Sequence, residues 1–83
     1  MPHVIVERNF EMPFTSEELG AVEARMKPCL ELYNVRWIRS YWSSDRRRMV
    51  REYEAADVAS VRNLQREAGA RFERAWAADI LEG

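Results

Sequence analysis

Two periods of apolar spacing alternate along this chain, and the places where one gives way to the other mark out strands and helices. His3 to Phe10 is rich in β-branched and aromatic residues and Pro13 follows, which predicts a first strand ending before the proline. In Thr15-Ser-Glu-Glu18 the threonine hydroxyl can satisfy an early helical N–H while Glu18 reaches back, so a helix is predicted from Ser16. Leu19, Val22, Met26, Cys29, Leu30 and Tyr33 then recur at three- and four-residue steps and give this helix one apolar face. Pro28 lacks a donor and crowds the preceding turn, so it is expected to bend or loosen the helix near its end.

Beyond the helix, Val35 to Ser43 reads as a second strand and Arg48 to Glu54 as a third, joined into a hairpin by the polar Ser44-Asp45-Arg46-Arg47. Ala55-Ala56-Asp57 ends the third strand, and Asp57 is placed to cap a second helix with a buried stripe of Val58, Val61, Leu64 and Ala68, closing at Gly69. Phe72 to Ile80 is the last strand, with a frayed end at Leu81-Glu82-Gly83. Two strand-helix-strand halves with right-handed crossovers predict an α+β, ferredoxin-like β-α-β-β-α-β sandwich. Its antiparallel four-stranded sheet, ordered four, one, three, two, carries both helices on one face.

That architecture leaves the other sheet face for water, a ligand or a partner sheet. Alternation puts Val35, Trp37, Arg39 and Tyr41 on one side of the second strand and Arg36, Ile38, Ser40 and Trp42 on the other. On the third strand Met49, Arg51 and Tyr53 alternate with Val50, Glu52 and Glu54. On the first, Val4, Val6, Arg8 and Phe10 alternate with His3, Ile5, Glu7 and Asn9. Alternation alone does not say which set faces the helices.

Length and composition sharpen this picture. The 83 residues make one domain, 1–83, and a chain this short buries only about 60 to 65% of its extended surface. Hydrophobic residues are 47% of the chain and include three Trp, three Tyr and three Phe, more aromatic bulk than a two-layer domain easily hides. A homodimer, in the manner of a dimeric α/β barrel, is the expected remedy. Net charge is −1, with 13 basic and 14 acidic side chains intermixed, so neither nucleic acid nor a membrane surface is an expected partner. The single cysteine, Cys29, excludes an intrachain disulfide, and the chain opens without a basic region followed by a long apolar run, which makes the cytoplasm the expected compartment.

Several stretches together resemble a known family: Val6-Glu-Arg, Thr15-Ser-Glu-Glu-Leu19, Val35-Arg-Trp-Ile-Arg-Ser-Tyr41, Glu52-Tyr-Glu-Ala55, Arg66-Glu-Ala-Gly69 and Phe72-Glu-Arg-Ala-Trp76. The family is one of small single-domain proteins catalogued as a domain of unknown function that includes nickel-binding proteins. The resemblance spans nearly the whole chain. It implies a ferredoxin-like fold, dimerisation through the sheets and, in the nickel-binding members, metal held by His and Cys side chains. Where it implies His in strand one and helix one, Cys in strand three and His in helix two, this sequence has Glu7, Glu23, Arg51 and Gln65. Nickel and copper sites prefer imidazole or thiolate, and a cation at Arg51 repels a metal, so no metal ligands are assigned.

The candidate ligand-binding residues are therefore Glu7, Trp37, Arg39, Tyr41, Arg51 and Glu52. Glu7, Arg39, Arg51 and Glu52 can line a polar pocket between two sheets, where burial shifts pKa values, or can form cross-strand ion pairs, the commoner arrangement. Trp37, Tyr41 and Trp42 suit a stacking platform, though aromatics more often pack a dimer interface. Arg46-Arg47-Arg48 suits a phosphate but reads better as a solvated hairpin tip, and Cys29 as a core residue. Neither a Ser-His-Asp nor a Cys-His arrangement occurs, and Gly20, Gly69 and Gly83 build no nucleotide loop, so no cofactor is expected. The reading is a homodimeric small-ligand-binding or accessory protein that uses the sheet face away from the helices. Two alternatives remain: a cofactor-free isomerase or oxygenase of the dimeric barrel type, with Glu7 or Glu52 as base and Arg39 or Arg51 holding an anionic intermediate, and nickel binding as in the resembled family.

Overall fold

In the computed structural model, which describes residues 2–83, the elements are β1 (His3–Asn9), α1 (Ser16–Leu32), β2 (Arg36–Trp42), β3 (Arg48–Glu54), α2 (Val58–Glu67) and β4 (Arg74–Ala78). They build one four-stranded sheet ordered β2-β3-β1-β4 with every neighbouring pair antiparallel, the topology expected of the ferredoxin-like fold. Val4, Val6 and Arg8 of β1 and Met49, Arg51 and Tyr53 of β3 are buried beneath the helices, while Ile5, Glu7, Val50, Glu52 and Glu54 form the open face. Among the described residues no helix is long and apolar enough to cross a membrane.

Local chemistry fixes the helix ends. Glu18 N donates to Thr15 Oγ1 at 3.1 Å and Thr15 N donates to Glu18 Oε1 at 3.2 Å, the reciprocal cap foreseen from the sequence. The helix runs on through Pro28 to Leu32, because the carbonyl deprived of its partner, that of Ala24, lies on the exposed side where water can take it. Both helices close alike. After α1, Asn34 takes φ 53°, with Asn34 N donating to Glu31 O and Val35 N to Leu30 O. After α2, Gly69 takes φ 69°, with Gly69 N donating to Arg66 O and Ala70 N to Gln65 O. These paired bonds around one left-handed residue satisfy the last free carbonyls. Arg25 of α1 ties the helices together by donating from Nε to Ala68 O at 2.8 Å.

Strand β2 departs from simple alternation. Trp37 pairs with Tyr53 and Arg39 with Glu52, so Ile38 is an extra residue, a β-bulge. Before it, Trp37 faces the helices; after it, Ser40 and Trp42 do, opposite Arg51 and Met49. Strict alternation had grouped Trp37 with Arg39 and Tyr41, and the bulge separates them. The hairpin tip is closed by Ser43 N donating to Arg48 O at 2.9 Å and by Asp45, whose Oδ1 accepts from Ser43 Oγ at 2.6 Å and from Arg47 N at 3.0 Å. Arg46 sits at φ 65° with its guanidinium 4.0 Å from the Trp42 ring centroid, so it is committed to that aromatic face.

Candidate functional site

The open sheet face is organised in rows across the strands. One row runs Arg36, Glu54, His3, Ala78; the next Arg39, Glu52, Ile5, Trp76; the third Tyr41, Val50, Glu7, Arg74. Four of the six candidate residues, Glu7, Arg39, Tyr41 and Glu52, lie here. Their charges are partnered across strands: Arg39 Nε is 3.2 Å from Glu52 Oε1, His3 Nδ1 is 2.9 Å from Glu52 Oε2, and Arg36 Nε donates to Glu54 Oε1 at 2.9 Å. Glu7 Oε2 accepts from Trp76 Nε1 at 2.8 Å and has Arg74 Nε at 3.8 Å. Tyr41 and Trp76 nevertheless stay 63% and 44% exposed, large apolar surfaces on a face with no helix above it.

Trp37 and Arg51 lie on the opposite side, so the sequence-based grouping of Arg51 with Glu7, Arg39 and Glu52 in one inter-sheet pocket is corrected. Arg51 is 1% exposed, buried under the helices rather than between two sheets. Its guanidinium is surrounded by sulfur and aromatic surface. Nε donates to Met49 Sδ at 3.3 Å, Nη1 donates to Met26 Sδ at 3.6 Å, and the Trp37 ring centroid is 5.7 Å away. Glu23 Oε1 stands 3.9 Å from Nη2, which makes no hydrogen bond. Nearby, Tyr53 donates its hydroxyl proton to Met26 Sδ at 3.3 Å and accepts from Gln65 Nε2 at 3.0 Å. Beside this cluster a cavity of about 470 Å³ opens between α1 and the sheet, walled by Leu30, Ala24 and Trp37 with Glu23 and Lys27 also lining it.

These contacts also place the four positions read for metal ligands. Glu23, Arg51 and Gln65 gather on the helix side around Met26 and Tyr53, whereas Glu7 is on the open face. His3 belongs to the open face and Cys29 is buried in α1, its Sγ 3.6 Å from Arg25 O. Among the described residues no three His, Cys, Asp or Glu side chains converge to hold a metal ion. The donors that do meet are two thioethers, a phenol and an amide around a fixed cation, a set that does not fit nickel.

Comparison with known proteins bears on this arrangement. The family described as "Nickel responsive protein SCO4226-like" matches residues 5–77. This chain belongs to that family. As an SCO4226-like protein it carries the family's sequence pattern over nearly all its length, and the resemblance read from its motifs holds. The crystal structure of SCO4226 from Streptomyces coelicolor A3(2) superposes with a TM-score of 0.84, covering 96% of this chain and 99% of that one at 12% identity, which shows the shared fold. No curated protein matches the chain. In this SCO4226-like chain the signal that sequence reading missed was the pair Met26 and Met49, whose helical and strand spacings put both sulfurs against Arg51.

Proposed function

We propose that this protein is a metal-independent, non-catalytic member of the nickel-responsive family, a cytoplasmic homodimer that acts as a small-ligand-binding or accessory protein through its open sheet face. The observation that carries the metal-independent part of the reading is the Arg51 guanidinium. A permanent cation fills the interior between Met26 and Met49, and electrostatics opposes a second cation beside it. Against the enzymatic alternative, Arg51 cannot serve chemistry at Glu7 or Glu52 from the far side of the sheet, and both carboxylates already hold donors.

The partner proposed for the open face is a second copy. Its charges come as matched Arg and Glu across rows, so the face is close to neutral and can meet itself without like-charge cost, while Tyr41, Val50, Ile5 and Trp76 supply apolar contact. Three strands of seven residues and one of five make a plane of roughly 400 Å², about half of the ~800 Å² that each partner gives a standard interface, so a concentration-dependent dimer is expected.

Native mass spectrometry across a protein dilution series, with and without added nickel, tests both halves. The expected result is a dimer that dissociates on dilution, is lost in Trp76→Arg, and takes up no stoichiometric nickel. Tight one-to-one nickel binding would refute metal independence; a monomer at every concentration would refute the sheet-to-sheet dimer.

A further inference from the structure

At the far end of the helix layer, the segment joining β1 to α1 and the segment joining α2 to β4 enclose an open groove of about 1070 Å³. Arg8 lines it and is itself only 5% exposed. Its guanidinium makes one hydrogen bond, Nε to Arg71 O at 2.6 Å, and Nη1 has no partner. Among the described residues no carboxylate lies within ion-pair distance of it. Burial holds the Arg8 pKa below its ordinary value, and the charges of Arg51 and Arg25 push the same way, with Tyr53 opposing. A buried, like-charged, half-satisfied guanidinium is costly unless an anion joins it.

We propose that this groove binds a small monoanionic organic acid with a flat apolar body, its carboxylate paired with Arg8. Two half-buried rings, Phe10 and Phe72, offer that body an aromatic contact in an otherwise polar groove; Phe10 stacks on the buried Phe14 at 4.3 Å between centroids, and Arg8 lies 5.0 and 5.1 Å from those two rings. The charge balance selects the ligand. Arg8, Arg66 and Arg71 are offset by Glu11, Glu18 and Glu73 along the same lining, so the groove is neutral overall: it holds no surplus of cations for a polyphosphate, and the pull on an anion comes from Arg8 itself. Apart from Asn9 at its rim, the groove uses no residue of the open sheet face, so it stands whether or not the chain pairs with itself.

The test is an NMR amide titration of the full chain with sodium benzoate, run beside benzamide as the neutral isostere and inorganic phosphate as a bare anion. Saturable shifts centred on Arg8 and residues 69–72 are expected with benzoate, weakened about tenfold or more for benzamide and for Arg8→Met, the loss of a charge-assisted contact. Arg66→Ala, an exposed change that leaves the fold alone, is expected to weaken benzoate by about two- to fivefold. Phosphate binding as tightly as benzoate would overturn the organic-acid assignment. Equal binding of benzamide, shifts centred elsewhere, or no saturation by about 10 mM, weaker than an ion-paired fragment should be, would overturn the site.

Discussion

Replacing Arg51 by methionine puts the physical account of the interior to its hardest test. The pair with Glu23 spans 3.9 Å, and at an effective dielectric of about 20 such a pair is worth roughly 4 kcal/mol before screening. Glu23 is 43% exposed at its side chain, so water takes back much of that sum. Desolvating the guanidinium costs several kcal/mol, and two sulfur contacts with one distant aromatic ring return only part of it. Methionine has similar volume and suits the two neighbouring thioethers. Arg51→Met should therefore be neutral or stabilising, by up to about 1 to 4 kcal/mol. For a domain of this size each kcal/mol moves Tm by about 4 to 8 °C. Urea unfolding followed by tryptophan fluorescence and far-UV circular dichroism measures the change, with Glu23→Gln expected to cost under about 1 kcal/mol. A loss of about 3 to 5 kcal/mol in Arg51→Met would show that pairing outweighs desolvation and would refute the reasoning. Stabilisation would instead mark Arg51 as a residue kept for something other than the fold.

Other outcomes follow from the same contacts. Tyr53→Phe removes the acceptor of Gln65 Nε2, and since Gln65 Oε1 already has no partner the whole buried amide is stranded, for a loss of about 1 to 3 kcal/mol in urea melts. On the acid side, the hydrogen bonds from Ser43 and Arg47 hold Asp45 below the usual carboxylate range, and that from Ser60 does the same for Asp57. Their stabilisation is complete above the unfolded value of about 3.9 and disappears as pH falls through the lower folded values, so Asp45→Asn with Asp57→Asn should flatten the acid limb of stability against pH. On the alkaline side, the hydrogen bond to Glu67 raises Tyr33 above the ordinary phenol value. That contribution is intact below about pH 10 and is lost as pH climbs through the raised value, so Tyr33→Phe should flatten the alkaline limb, read by the same melts.

Much of the fold was legible because its signals are local. The Thr15 to Glu18 capping box set the start of α1, Asp57 and Gly69 bracketed α2, and β3 falls on Arg48–Glu54 as alternation predicts. Strand β4 came out shorter than Phe72 to Ile80, since only Arg74–Ala78 has a partner in β1. The site was half legible. Glu7, Arg39, Tyr41 and Glu52 share the open face, but Arg51 violates the rule that charge seeks water, and nothing in a strand's own pattern says that two distant methionines will surround it. Nor does composition reveal the Arg8 groove, which needs Phe10 and Phe14 folded back on each other across Pro13.

The bulge at Ile38 gives β2 a property that belongs to counting rather than chemistry. Seven residues span six pairings with β3, so the odd residue sets the parity of everything after it. A relative one residue shorter at this point keeps Trp37 and Trp42 inside and Arg39 and Tyr41 outside with a plain strand. A relative of equal length that straightens the bulge exchanges those surfaces with no change in composition. Sidedness in this edge strand is thus passed down through the distance between its two tryptophans, and one insertion or deletion is enough to keep or trade the outer surface.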